Sequence, residues 1–553
     1  MYKRIAALAA AAMLAACTKQ GATGPAGGAQ GGNSWTHPGV LRFAENADPK
    51  TLNPVIGASA VTGDLSMFIF SYAVRYNDKA QPVPDAVSEV PTVANGDVSK
   101  DGLTLKYKLR HNIKWQDGQP LTCDDLKFTW QVVMNPKTNV ATTDGYKDIK
   151  DIDCSDPYVA VVHMKRLYAP YLEQLWGVNG NAPILPKHLL AAANASGSIN
   201  EASYNAMPIG SGPFKVVEWQ RGTEVRLQAN PNYFMGKPKL NEVIFRIMPD
   251  ENTMETQLQT HEIDMIARGT GLKWPRYQQL ASAPDSGLTA IRIDTYIFGH
   301  IDFNLQRPIF SDVNVRTALA YATNRAEIIN KIQHGSAIPA ETDQSPKLSW
   351  AYTDNITHHP FDPAKARQIL DADGWKVGPG GIRVKNGQKL EFDLSTQTES
   401  TSGRAIQTLL QNEWHDVGVQ ADVKNYSTAQ MFVNGSAGVL EGGHYDAAIY
   451  SWVAASDPDD SSLYSCDNFG PQGQNTLFWC NRKATAAMKD ALQTVDQNRR
   501  KADYVIVQQE LTKDVPTIII SFTKEPYVYN TDLKGFTASP VISAFWNPWE
   551  YSI

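Results

Sequence analysis

Cysteine is scarce in this chain, five in 553 residues, and none of the five stands in a CxxC pair. Structural zinc sites need that kind of ligand spacing, and no histidine pair accompanies the cysteines, so no zinc-bound module is expected. Long apolar runs are missing as well. After position 16 no stretch approaches the roughly 20 apolar residues that a membrane-crossing helix requires. Basic charge has no surplus, with 51 Lys and Arg against 57 Asp and Glu for a net charge of −6, and no basic patch marks a nucleic-acid-binding face. HExxH, GxSxG, GxGxxG and the phosphate-binding P-loop are all absent. No catalytic residue, cofactor or metal ion is therefore expected. There is no repeat at solenoid spacing.

The N-terminus carries the first positive signal. Lys3 and Arg4 precede an apolar run from Ile5 to Ala16 that stops at Cys17. A basic start and a short apolar core make a secretory signal, too short to span a bilayer. "LAAC" (Leu14 to Cys17) resembles the lipobox of bacterial lipoproteins. That resemblance implies cleavage before Cys17 and acyl chains on it; an ordinary signal peptide with a chance cysteine is the alternative. Residues 18–34 are mostly Gly, Ala and Gln, with too little apolar bulk to offset the entropy of ordering, and read as a flexible tether.

Roughly 520 residues remain from Trp35 onward, enough for several domains, each with its own core. Cys123, Cys154, Cys466 and Cys480 are an even set in an exported chain, where disulfides persist. Pairing by nearness in sequence joins Cys123 with Cys154 and Cys466 with Cys480; free buried thiols are the alternative. Aromatic residues make up 10% of the chain, which suits a ring-lined cleft and large cores equally.

Hydrophobic periodicity switches repeatedly. In "GLTLKYKLRHNIKW", Leu103, Leu105, Tyr107 and Leu109 alternate with Thr104, Lys106, Lys108 and Arg110, which marks a half-buried strand. "LTCDDLKFTWQVVM" then reads as a helix capped by Thr122 with acids in its first turn. "TEVRLQANPNYF" and "EVIFRIMPD" return to period two. "SDVNVRTALAYATNRAEIINKI" is helical, with a capping box from Asn324 to Glu327 starting its second half. "FDPAKARQILDADGW" is a helix capped by Asp362, with Pro363 first and Gly374 past its end. "VGPGGIRV" (377–384) reads as a hairpin turn. Helices and strands interleave throughout, so the fold class is α/β.

"ADPKTLNP" (47–54), residues 101–130, residues 210–253, "DVNVRTALAYATNRAEII" (312–329) and "FDPAKARQILDADGW" (361–375) together resemble the extracellular solute-binding proteins of family 5, which serve ABC importers of peptides, nickel chelates and some oligosaccharides. The resemblance covers nearly the whole mature chain. It implies a two-lobed, periplasmic-binding-protein-like fold that closes on its ligand as a hinged clam, with an additional inserted domain. Carried onto this numbering, 1–16 is the signal peptide, 17–34 the lipidated Cys17 and tether, and 61–204 the inserted domain. Lobe I combines 35–60, 205–290 and 522–553, and lobe II is 291–521. Two strands are expected to cross between the lobes near "RIDTYIFGHIDF" and "VPTIIISFTKEPY". The implied function is a lipid-anchored, monomeric carrier of the periplasm or cell surface that hands a peptide or similar small solute to an ABC permease. In "THEID" (260–264), His261 stands where the family usually has a glycine, and is expected in a left-handed cap. "THHP" (357–360) is expected as an exposed loop.

The remaining motif is "SWVAASDPDD" (451–460). A calcium loop needs a glycine at its sixth position, and Pro458 and Ser461 break that pattern. Glycoside hydrolysis needs carboxylates on opposite sides of a bond, and Asp457, Asp459 and Asp460 are too close in sequence for that unless another acid faces them, a partner that the sequence does not identify. Pro458 holds Asp457 in extended geometry, so the acids sit on a loop after a strand that ends near Trp452. Peptide-binding members of the family commonly place an amine-anchoring Asp where this chain has Ala455. Either Asp457 replaces it, or the ligand has no free ammonium group. Ser451, Trp452, Ala455 and Asp457 are the candidate ligand-binding residues, with Trp452 against the ligand and Asp457 facing it; an exposed acidic turn in front of a core tryptophan is the alternative. Replacing Asp460 is expected to do little to ligand binding.

Overall fold

Two strands of unusual length hold the molecule together, Leu288–Phe303 and Thr517–Asn530, paired antiparallel. In the computed structural model, residues 32–553 are described apart from 58, 141, 179–181, 267–271, 273, 284–285, 433–434, 472 and 542. The signal, Cys17 and nearly all of the tether lie outside the described residues.

At one end, Thr517–Asn530 pairs with Met265–Ile266, which joins Val40–Glu45, Glu242–Ile247, Glu224–Ala229 and Phe214–Gln220. At the other end Leu288–Phe303 pairs with Ala447–Val453, followed by Glu391–Ser395 and Gln420–Val423. One sheet thus runs through both lobes. Between Asp294 and Phe298 the register of the long pair shifts, and the Thr295 hydroxyl donates instead to the Thr523 carbonyl at 2.9 Å. A second shift falls between Gly299 and His300, and ladder irregularities between paired stretches are where rotation concentrates.

Apolar burial follows the same division. One core joins Leu41, Phe43, Phe68, Phe214, Phe245 and Phe545 to the small sheet of Thr104–Lys108, Val159–Met164 and Ile149–Asp156. A second gathers Ile301, Phe303, Phe310, Phe392, Trp414 and Ile518. Local sequence rules explain the elements. Helix Cys123–Val133 starts on a reciprocal capping box of Thr122 and Asp125, and Pro363–Ala372 starts at its proline with the Asp362 carboxylate accepting from the Lys365 N–H at 2.9 Å. The helical stretch after Asp312 stops at Tyr321 and restarts at Arg325, where the Asn324 side chain accepts from the Glu327 N–H at 3.1 Å. Lys376–Val377 pairs with Arg383–Lys385 around a tight turn. His261 takes φ +64°, stacked on Trp35 at 4.1 Å.

Disulfides join Cys123 to Cys154 and Cys466 to Cys480. The "THHP" loop corrects its expectation. His358 is exposed and bonded to Glu341 at 2.9 Å, but His359 is 5% exposed, and burial first, then Arg325, pushes its imidazole down to about 4. It packs inward because its ring meets Tyr321, centroids 5.1 Å apart.

Candidate functional site

Strand Ala447–Val453 delivers its C-terminal end to the border between the lobes, and residues 454–460 continue as a loop. Side chains alternate between its two faces. Ala447 and Ile449 enter the second core, while Tyr450 and Trp452 lie on the opposite face, opposite His300 and Phe298 of the neighbouring strand. Trp452 is half-buried and packs against the cluster of Phe298, Ala340, Ile519 and Phe522. It borders a slot of about 10 Å³ over His300, Asp302 and Tyr450, room for about one water. Ser451 is exposed, opposite Gly299.

The loop itself reaches the part of the molecule that the first core holds together, where Tyr171 is buried. The Ser456 hydroxyl donates to the Glu173 carboxylate, and both residues are buried. On either side of that contact lies a chamber, one of about 430 Å³ and one of about 860 Å³. Asp457, Glu173 and Pro170 line both. The smaller chamber has aromatic walls in Tyr76, Tyr171, Tyr296 and Trp350, with Lys79 and Lys347 at its edge. The larger is lined by residues 144–148 and 166–174 on one side and 455–468 and 489–493 on the other, and Ala455 faces it.

Asp457 is not alone. Arg500, from helix Gln497–Asp514, donates to it twice, Nη1 to Oδ2 at 2.8 Å and Nη2 to Oδ1 at 2.6 Å, and the two side chains are 10% and 8% exposed. Burial opposes the charge on Arg500, yet Asp457 and Tyr504 hold its guanidinium above its ordinary value. Trp350 and Tyr504 flank the guanidinium at 5.5 Å each. Asp459 accepts from the Ser461 N–H at 3.1 Å; burial, with Asp457 beside it, raises its carboxyl. Tyr168, in the larger chamber, is held well above its usual value, by burial first and then by Asp144, Asp459 and Asp457.

Asp460 lies beneath the loop rather than in either chamber's lining. It is 7% exposed, takes a hydrogen bond from Gln344 Nε2, and its carboxyl is raised well above the usual range by burial and by the buried Asp343. Its work is internal, fixing the base of the loop. Sequence reasoning missed Arg500, Glu173 and Trp350. Only Arg500 left a trace: it occupies the buried stripe of its helix with Tyr504, Val507, Gln508 and Leu511, a spacing where an apolar residue is the norm.

Two α/β lobes joined by crossing strands, with a polar and aromatic cleft between them, define a solute-binding protein. The chain belongs to the bacterial extracellular solute-binding proteins, family 5, whose middle-region profile matches residues 82–474. It is 25% identical over 508 residues to the oligopeptide-binding protein AppA of Bacillus subtilis (strain 168), covering 91% of this chain and 89% of that one. It is also 25% identical over 530 residues to the dipeptide-binding protein of Escherichia coli (strain K12), covering 91% and 92%. Among solved structures, NikZ from Campylobacter jejuni in complex with Ni(L-His) superposes with a TM-score of 0.77 at 25% identity, over 94% of this chain and 100% of that one. Proteins of this family are binding components of ABC importers, so this chain is a transport protein and not an enzyme. Among the described residues no helix is long and apolar enough to cross a membrane.

Proposed function

We propose that the chain captures a peptide between its lobes and delivers it intact to an ABC permease, as a monomer tethered to the membrane through lipidated Cys17. The observation that carries this reading is the pair of chambers at the Ser456–Glu173 contact, lined by residues from both sides of the cleft. A ligand held there gains its contacts only when the lobes meet, so its differential affinity for the closed form sets the population shift. The oligopeptide- and dipeptide-binding relatives support a peptide. Aromatic walls with lysines at the rim suit an extended chain whose carboxylate faces Lys79 and Lys347. In this reading the lobes divide as 35–60, 205–290 and 522–553 against 291–521, with 61–204 inserted. Both long strands run unbroken through 290/291 and 521/522, as a hinge requires.

A small chelate is the second reading, favoured by the likeness to NikZ with its Ni(L-His). Mass spectrometry of the protein as purified, denatured to release what it retained, separates the two. Peptide masses support the proposal; a metal chelate with no peptide overturns it.

A further inference from the structure

A third cavity, of about 260 Å³, lies between segments 323–326, 339–346 and 352–361 and shares no lining residue with the two chambers. Four charged or titratable side chains border it besides the buried His359: Arg325, Glu341, Asp354 and His358. His358 answers both acids, at 2.9 Å from Glu341 and 4.0 Å from Asp354, and Glu341 also accepts from the His359 N–H at 2.6 Å. Arg325 has no ion pair among the described residues. It donates Nε to the Ile519 carbonyl at 2.7 Å and Nη1 to the His359 carbonyl at 3.1 Å, which fixes the plane of the guanidinium and leaves Nη2 without a bond among the described residues. Burial outweighs the help Arg325 has from Glu341 and holds it below its ordinary value. A second, independent observation lies beside it. His359 is only 5% exposed, yet neither of its ring nitrogens makes a hydrogen bond among the described residues, and neither is sealed off from solvent, so they are open to the cavity that the residue borders. The charge of Arg325 weighs on that ring more than the charge of Glu341 does and, with burial, keeps it neutral. A polar ring nearly out of water and without a partner is costly, and a ligand would relieve it.

We propose that this cavity is a second binding site, for a small carboxylic acid with an apolar body, whose carboxylate meets Arg325 and His359. The proposal does not depend on what the cleft holds. A guanidinium fork matches a carboxylate in plane and spacing, and a neutral imidazole adds one N–H donor beside it. One negative charge supplies what Arg325 lacks. A phosphate dianion would bring a second charge toward Glu341, and it has nothing to set against the apolar walls of Pro339, Pro346, Ile356, Pro360 and Phe361. Phe361 stands 45% exposed, so an apolar body laid against it removes apolar surface from water. The cavity falls just short of the roughly 300 to 1,000 Å³ of drug-sized ligand pockets, and its occupant is correspondingly small.

Saturation-transfer NMR of the purified full chain with phenylacetate, its neutral isostere phenylacetamide and inorganic phosphate tests this. Phenylacetate is expected to bind at least about 10-fold more tightly than phenylacetamide, and phosphate to leave it in place. Arg325→Lys keeps the charge but loses the fork, and is expected to weaken phenylacetate about 10-fold with little effect on phenylacetamide. Phe361→Ala, at a side chain that is half in solvent, is expected to weaken both ligands by about 3-fold while the thermal midpoint stays unchanged, so it decides the matter even where Arg325→Lys disturbs folding. Trp350→Ala, in the wall of the smaller chamber, is expected to leave phenylacetate binding as it is. Equal binding of acid and amide, displacement of the acid by phosphate, or no binding up to about 10 mM overturns the proposal. So does binding that is lost with Trp350→Ala and kept with Phe361→Ala, which places the acid in the cleft.

Discussion

Asp457→Ala is the perturbation with the sharpest consequence. The carboxylate makes two hydrogen bonds, at 2.8 and 2.6 Å, to a guanidinium that is itself 8% exposed. Truncating one partner strands the other in a desolvated site, which costs about 3 to 5 kcal/mol for a buried pair. That is a large share of the roughly 5 to 15 kcal/mol by which a domain is stable. Arg500→Met strands Asp457 in the same way, and the double variant strands neither, so the two single losses do not add. The coupling energy is expected to be on the order of 2 to 3 kcal/mol. Urea unfolding of the wild type, both single variants and the double variant, followed by tryptophan fluorescence, closes the cycle. Affinity adds a second readout. If the Asp457 carboxylate serves Arg500, both single variants weaken ligand binding alike, by loosening the loop that carries Ser456 to Glu173. Were it the ligand's own anchor, Arg500→Met would free it and tighten binding to a cationic ligand. Additive losses below about 1 kcal/mol each, or tighter binding by Arg500→Met, refute the reasoning.

Three further outcomes follow from named groups. Asp460 has a carboxyl raised above its unfolded value by burial and Asp343, so the folded state binds the extra proton and wild-type stability falls as pH rises from the ordinary carboxylate range through the raised one; Asp460→Asn should remove that slope, and unfolding curves at pH 4 and pH 8 measure it. Replacing both cysteines of Cys123–Cys154, whose separation is 31 residues, should cost about 4 kcal/mol, and the 14-residue pair Cys466–Cys480 about 3 kcal/mol, by loop closure; denaturant midpoints of the two double-serine variants give the values. Cys17→Ser should leave a folded chain that no longer partitions with membranes, read by fractionation, and a variant that still pellets with them contradicts the lipid anchor.

Local elements were legible in the sequence because their causes are local. Thr122, Asn324 and Asp362 cap what their spacing says they cap, and "HYDAAIYSW" alternates as a strand with one face in a core. The family resemblance carried the two lobes and the crossing strands. The site was harder, for a physical reason. Asp457, Glu173 and Arg500 come from elements separated by 43 to more than 280 positions, and nothing in a period of 2 or 3.6 residues records who faces whom across a cleft. An acid-rich loop also looks alike from sequence whether its carboxylates are solvated, paired or buried. Here the three differ: Asp457 is paired, Asp459 faces the larger chamber, and Asp460 is sealed beneath the loop.

Capture between the lobes is tested most directly by small-angle X-ray scattering of the purified chain, stripped of retained ligand by unfolding and refolding, before and after one equivalent of a bound peptide. Closure about the crossing strands should reduce the radius of gyration, and the peptide should be recovered with its mass unchanged. A scattering profile that stays the same while calorimetry shows the peptide fully bound, or a peptide recovered in pieces, contradicts a hinged carrier.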